Sequence, residues 1–187
     1  LLAGDLTPYL AVTGSTEKGD LADGLVVSHL RLQDFQGLAS TRPISLDTEA
    51  LTRLYSLEPL AAWRAQGGLS ISEDLGSSAL RLFLDPAAQN YDAVGIARQA
   101  FMAGNDLLYL NHFKGVGDES EFETIGKTLD SFTQKYQEDP LFAEKVNAAV
   151  LRILQAKLRL YGNNFDIKQV VPPEVAVHSL ESQSGVN

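Results

Sequence analysis

The chain has 187 residues, no cysteine, and a net charge of −9 that comes from 24 acidic and 15 basic side chains. This length suits one domain with a substantial core, and the lack of cysteine excludes disulfides and thiolate metal sites. The acidic balance, with scattered basic residues, argues against nucleic acid or a membrane surface as a partner, and no apolar run approaches the roughly 18 residues that a membrane span needs.

The first part of the chain predicts one strand and a helical region. The run Gly24–Leu30 is apolar and continuous rather than alternating, which is typical of a strand covered on both faces. Helical spacing follows over 46–66, with Ser45 as the expected N-cap and Pro59 as the point where the region divides into two helices. Trp63 keeps step with the apolar stripe of this region, so we expect it in the core rather than as a sugar platform.

The segment 67–76, Gly-Gly-Leu-Ser-Ile-Ser-Glu-Asp-Leu-Gly, predicts a short buried strand that ends in two carboxylates, Glu73 and Asp74. A helix is predicted directly after it, over 77–84. Parallel α/β proteins place their chemistry where a strand delivers polar side chains just before a helix. The alternative is that Asp74 only caps the helix and that Glu73 is only solvated.

The remainder of the chain predicts one more strand and three helices. In chain order these are a helix over 91–103, a strand over 106–110, a helix over 124–136 and a helix over 140–161. Asp139 followed by Pro140 is typical of a helix start, and Gly104 and Gly162 are typical of helix ends. Helical periodicity is lost beyond this point, so residues 163–187 are predicted to form a linker toward a second domain.

The predicted order is strand, helix, strand, helix, strand, helix, with crossovers long enough for right-handed βαβ units. Three parallel strands cannot close a barrel, and alone they would leave both edges of the sheet unpaired. The chain also begins at Leu1, and its single methionine is Met102. We therefore weigh a small open α/β domain against the last part of a larger one, and we expect the latter.

Polar side chains stand at the carboxyl ends of all three predicted strands, namely Ser28 and His29, Glu73 and Asp74, and Asn111 and His112. They combine carboxylates with imidazoles, without a Gly-rich phosphate loop or a nucleophile elbow. The alternative chemistry is a metal site built from His29, Glu73 and His112. No local ligand spacing supports such a site, and we predict neither a metal nor a cofactor.

Several segments together resemble glycoside hydrolase family 3. Residues 60–76 resemble the family's strand-7 region, in which a Leu-Arg helix end and a Gly-Phe-x-Gly-Val strand start precede Ser-Asp-Asp-Leu. Residues 25–29 are similar to the preceding strand, 97–108 to the passage into strand 8, and 136–162 to the closing helix. The Ser-Leu-Asp and Ala-Gly-Asn-Asp segments are most similar to the bacterial β-N-acetylhexosaminidase branch.

The resemblance implies an α/β fold that is the C-terminal portion, about strands 6–8, of a TIM (β/α)8 barrel, with residues 1–162 as three βα units. It implies a retaining β-glycosidase that hydrolyses terminal sugars such as β-N-acetylhexosaminides. The carbohydrate substrate and the rest of the barrel, from a missing N-terminal part or a partner chain, are the expected partners.

The resemblance also assigns the site residues. The family nucleophile is the first Asp of Ser-Asp-Asp-Leu, which corresponds to Glu73 here. Glu is one methylene longer than Asp, and a displacement of about 1 Å can lower a rate on the order of a hundredfold. Ser28, His29, Asp74 and His112 are expected to bind the sugar.

The family's acid motif, Lys-His-Phe-Pro-Gly-His-Gly in the hexosaminidase branch, does not occur in this sequence. We therefore expect the chain to be inactive by itself. The alternative function, motivated by Glu73 in place of Asp, is a non-catalytic family 3-like domain that binds sugar or a partner chain.

Overall fold

The computed structural model describes residues 3–14, 21–31, 42–162 and 166. In chain order these contain α1 (Ala3–Thr13), β1 (Gly24–Val27), a 3₁₀ helix (Ile44–Leu46), α2 (Thr48–Tyr55), α3 (Leu60–Ala65), β2 (Leu69–Ser72), α4 (Ser78–Leu84), α5 (Ala93–Ala103), α6 (Glu121–Glu138) and α7 (Pro140–Leu160). No described helix is long and apolar enough to cross a bilayer. Apart from residue 166, the predicted linker over 163–187 lies outside the described residues.

The strands β1 and β2 form a two-stranded parallel sheet in which Val26 pairs with Ile71. Because partners in a parallel pair share a face and side chains alternate along a strand, Val26 and Ile71 lie on one face of the sheet. Ser70 and Ser72 lie on the other face and are completely buried, whereas Val26 is 59% exposed. We call the face with Val26 and Ile71 the open face.

The predicted third strand over 106–110 does not form, and the prediction of strands 6–8 of a TIM barrel is wrong, since the described part is mostly helical with two parallel strands. Leu107 makes an isolated parallel bridge to Ile71, and its carbonyl accepts the Ser72 N–H at 2.9 Å. The Tyr109 N–H then donates to Ser72 Oγ at 3.0 Å. The Ser72 hydroxyl therefore accepts the hydrogen bond that the Ser72 carbonyl would accept from Tyr109 in a regular parallel ladder.

The predicted division of the first helical region at Pro59 is confirmed, because this residue separates α2 from α3. The predicted N-cap Ser45 is wrong. Asp47 caps α2 instead, and its side chain accepts the Ala50 N–H at 3.0 Å. Ser45 lies in the preceding 3₁₀ helix and is completely buried.

Predicted start and stop signals set most of the later helix boundaries. The Asp139 side chain caps α7 ahead of Pro140, as predicted. Ser77 caps α4, whose predicted position is confirmed. Gly104 ends α5 at φ +127°, a left-handed conformation that glycine adopts without strain.

The largest apolar cluster packs α4 and α5 against the 3₁₀ helix and the turns at Leu75 and Phe113. Its buried members are Leu46, Leu75, Leu80, Tyr91, Ala93, Ile96, Ala97, Ala100 and Phe113. The predicted core position of Trp63 is confirmed, since Trp63 is only 2% exposed. The Trp63 indole N–H donates to the Ala22 carbonyl at 2.6 Å, which satisfies its polar atom in the interior.

A buried ion cluster joins β2 to two helices. The Asp106 side chain is 2% exposed and pairs with Arg64 of α3 and Arg152 of α7. Its Oδ2 also accepts the Ser70 N–H at 2.9 Å. Because two guanidiniums and a backbone N–H surround one carboxylate, the charge of Asp106 is compensated where it is buried.

Candidate functional site

Glu73 lies at the carboxyl end of β2, at the rim of the open face. Its N–H donates to the Val27 carbonyl at 3.0 Å, which extends the parallel pairing beyond the last residue of β2. Glu73 is two residues after Ile71, so alternation directs its half-buried side chain to the open face. Ser28, two residues after Val26, lies beside it on the same face by the same argument.

One oxygen of the Glu73 carboxylate has a defined partner. Oε2 accepts the backbone N–H of His29 at 2.8 Å. A hydrogen bond from an N–H to an ionised carboxylate is shorter and stronger than one between neutral groups. The bond therefore orients the carboxylate at the rim without using a second side chain.

Both ring nitrogens of His29 are engaged. Nε2 lies 2.9 Å from the Asp74 carbonyl oxygen and Nδ1 lies 2.7 Å from Ser45 Oγ. A carbonyl only accepts, so Nε2 carries a proton, and in the neutral ring Nδ1 accepts the Ser45 hydroxyl proton. Sugar binding by the His29 ring stays a prediction, and a sugar hydroxyl would have to compete with these two partners.

Asp74 holds the backbone together at the end of β2. Its Oδ1 accepts the Gly76 N–H at 2.9 Å and the Asn111 N–H at 3.1 Å. It does not cap α4, because that cap is Ser77. Alternation also places Asp74 opposite Glu73, so the two adjacent acids have different environments. Its predicted contact with sugar stays a prediction.

His112 follows the extended segment 106–110 and has a left-handed backbone, with φ +49°. Its side chain is 76% exposed, and Nδ1 lies 3.8 Å from Glu121 Oε1 at the start of α6. Within the described part of the chain, no group of three or more His, Asp and Glu side chains is placed to hold a metal ion. His29, Glu73 and His112 therefore do not form the metal site considered from the sequence.

Arg81 of α4 connects the turn after β2 to the turn after segment 106–110. Its guanidinium donates to the carbonyls of Gly76 at 3.1 Å, His112 at 2.7 Å and Lys114 at 2.8 Å. The two turns approach so closely that a Cβ on Gly76 would lie 1.9 Å from the Asn111 carbonyl oxygen. Only glycine fits at this position without moving the neighbouring backbone.

Tyr91 binds the turn that follows β2. Its hydroxyl donates to the Leu75 carbonyl, and its ring centroid lies 4.0 Å from the Arg81 guanidinium carbon. Burial raises the pKa of Tyr91 to about 12; the Arg81 charge opposes this shift, and Asp74 adds to it. The residue after Glu73–Asp74 is thus fixed by a phenol that stays neutral at physiological pH.

Two further residues, Ser45 and Tyr109, were not predicted to belong to this region. Ser45 is one, because its contact with the His29 ring is long-range and has no local sequence signal. Tyr109 is the other: it is 54% exposed, and it lies two residues after Leu107, just as Glu73 lies two residues after Ile71. Alternation along 107–109 could have indicated that Tyr109 shares the open face with Glu73.

No protein-family model and no curated protein matches the sequence. Among solved structures, M. tuberculosis LpqI is similar, with a TM-score of 0.54 and 22% sequence identity. The match covers 82% of this chain and 38% of the LpqI chain. At this identity the similarity shows a shared fold and no more, and this chain spans less than half of the length of LpqI.

Proposed function

We propose that the chain carries the nucleophile-bearing part of a retaining β-glycosidase of the family 3 type, with Glu73 as the nucleophile. One observation carries this proposal: a half-buried carboxylate at the end of a parallel strand, with one oxygen oriented by the His29 N–H. The resemblance of residues 60–76 to family 3 and the fold similarity to LpqI, a β-hexosaminidase of that family, support the same class.

In a retaining mechanism the nucleophile attacks the anomeric carbon and forms a glycosyl ester, while a second group protonates the leaving oxygen. The His29 N–H binds Oε2, which leaves Oε1 of Glu73 as the attacking atom. The two carboxyl groups of such enzymes are about 5–5.5 Å apart. Asp74 is directed away from Glu73 and holds two backbone N–H groups, so we assign the acid to polypeptide outside the described residues.

The open face suggests where that polypeptide lies. Val26 is 59% exposed, Tyr109 54% and Leu107 36%, and these apolar side chains adjoin the rim that carries Glu73. A contiguous exposed apolar patch of this kind marks a surface that is covered in the functional protein. We infer that further polypeptide of the same protein, or a partner chain, covers this face and completes a site for terminal β-N-acetylhexosaminides.

The test is release of an aryl group from an aryl N-acetyl-β-hexosaminide. The purified 187-residue chain is expected to release none above a buffer control. The longer protein or complex in which further polypeptide covers the open face, which we call the covered protein, is expected to release it. In that protein Glu73→Gln is expected to lower kcat at least about a thousandfold. Turnover by the isolated chain, or full activity of Glu73→Gln, would refute the proposal.

A second candidate is a non-catalytic domain that binds a sugar. Glu at position 73, in place of the family's Asp, favours it. Glu73→Asp in the covered protein separates the two functions, because a catalytic role requires turnover to change. If turnover is absent in both forms while N-acetylglucosamine binds to both by calorimetry, the domain is a sugar-binding module.

A further inference from the structure

We propose that His29 is a positioning residue for Glu73, which clamps the Glu73–Asp74 dipeptide at two points and thereby directs the Glu73 carboxylate. The inference rests on the proposed role of Glu73. It assigns His29 a task other than contact with the sugar.

Both points of the clamp come from His29, which lies two residues after the end of β1. The His29 backbone N–H donates to Glu73 Oε2 at 2.8 Å, and its Nε2–H donates to the Asp74 carbonyl at 2.9 Å. Both donors belong to His29, so the distance between them is limited by the bonds of one residue. Movement of the Glu73 carboxylate relative to its own backbone is therefore resisted by the His29 ring as well as by the N–H that it contacts.

The ring is anchored in the core through Ser45. Ser45 Oγ lies 2.7 Å from His29 Nδ1, and the Ser45 carbonyl accepts the Asn105 Nδ2–H at 2.9 Å. Asn105 is 1% exposed and also contacts the Ala100 carbonyl and the Ser70 hydroxyl. The clamp is thus supported by a connected, buried network of polar groups, which holds the ring in one orientation.

The clamp suits the length of the side chain at position 73. An aspartate would place its carboxylate about 1.5 Å nearer the backbone, because it lacks one C–C bond. Its oxygens would then no longer meet the His29 N–H at hydrogen-bond distance without backbone movement. Glu73 and His29 therefore work as a pair, in which the longer acid gains a defined position from the backbone donor.

The first experiment measures the His29 amide by NMR on the full 187-residue chain. Its ¹H resonance is expected to shift upfield in Glu73→Gln and in Glu73→Asp, since the charged acceptor is lost or withdrawn. Its hydrogen exchange is expected to become about five- to tenfold faster, the effect of losing one such bond. An unchanged His29 amide in both variants would overturn the proposal.

The second experiment tests the ring anchor. Ser45→Ala is expected to move the His29 amide toward its position in Glu73→Gln, with exchange at least about fivefold faster. Thr128→Ala is the matched control, because Thr128 is also a buried hydroxyl residue and its Oγ1 donates to the Thr124 carbonyl within α6, outside the network of Ser45 and Asn105. It is expected to leave the His29 amide unchanged. The proposal fails if Ser45→Ala leaves the amide as in wild type.

The ¹⁵N spectrum of the wild-type imidazole gives a result that needs no variant. The clamp requires the neutral ring to carry its proton on Nε2, and a proton on Nδ1 would overturn it. In a covered, active protein, Ser45→Ala is further expected to lower kcat about five- to tenfold with KM unchanged. The NMR signals are read without sugar, so a lack of glycosidase activity in the covered protein would refute the proposed function and leave the clamp standing.

Discussion

At the scale of single residues, two adjacent acids illustrate how backbone alternation separates functions. Glu73 faces the open side of the sheet and bonds the His29 N–H, whereas Asp74 faces the turn and bonds the N–H groups of Gly76 and Asn111. Neighbouring side chains on a strand point to opposite faces. One carboxylate thereby lies at the rim of the open face, and the other binds two backbone N–H groups of the adjoining turns.

Gly76 is the residue where the site tolerates least change. We expect Gly76→Ala to destabilise the chain by about 1–3 kcal/mol, because the added Cβ would meet the Asn111 carbonyl oxygen at 1.9 Å. Gly126→Ala in α6 is the control, since a Cβ there would meet nothing within 4 Å, and it should stabilise the helix by about 0.5–1 kcal/mol. Urea unfolding of both variants checks this, and equal stabilities would contradict the close approach.

Tyr91 predicts a response to alkaline pH. Its pKa is raised from 10.0 to about 12 by burial, so its contribution to stability is fully present below pH 10 and is lost as pH rises toward the folded value. Between about pH 9 and about pH 11.5, the free energy of unfolding should fall by about 2 kcal/mol more in wild type than in Tyr91→Phe. Parallel pH dependence of the two proteins in urea unfolding would show that the phenol is not held neutral.

At the scale of elements, buried polar groups join β2 to its neighbours. Ser70 and Ser72 are completely buried, and they contact Asn105 and the Tyr109 N–H respectively. Asp106 then connects β2 to α3 and α7 through Arg64 and Arg152. The helices are therefore held to the sheet by directional bonds in addition to apolar packing.

Removing the charge of Asp106 should loosen this connection. We expect Asp106→Asn to destabilise the chain by about 3–5 kcal/mol, because it leaves two guanidiniums without their buried counter-ion. Asp130→Asn, an exposed position in α6, is the control and should change stability by less than about 0.5 kcal/mol. Guanidinium-induced unfolding measures both, and a cost below about 1 kcal/mol for Asp106→Asn would contradict the proposed role of the cluster.

Local signals predicted the helices well because their partners are close in sequence. Asp139 with Pro140, and Gly104, mark ends of α7 and α5 through contacts within a few residues. The prediction of a third strand was wrong because the Tyr109 N–H donates to the Ser72 hydroxyl and not to the Ser72 carbonyl. The residue types of this segment do not indicate that exchange.

The same limit applies to the site. The position of Glu73 at a strand end follows from the pattern of residues 67–76, but the surroundings of His29 do not. Its ring partners lie 16 and 45 residues away, at Ser45 and Asp74. Only the folded chain shows that a histidine expected to contact sugar has both ring nitrogens engaged within the protein.

At the scale of the whole molecule, one sheet face is packed on helices and the other is open. The open face carries exposed apolar side chains beside the rim where Glu73 lies. The exposed apolar side chains are the observation behind the proposal that further polypeptide packs on this face.

The most direct measurement is mass spectrometry of the covered protein after reaction with an activated 5-fluoro glycoside that keeps the 2-acetamido group, which traps a glycosyl ester on the nucleophile of a retaining enzyme. A covalent sugar on the peptide 67–76, at Glu73, and its loss in Glu73→Gln, are the results that we predict. A sugar attached to any other residue, or equal labelling of the Glu73→Gln variant, would contradict the central role of this carboxylate.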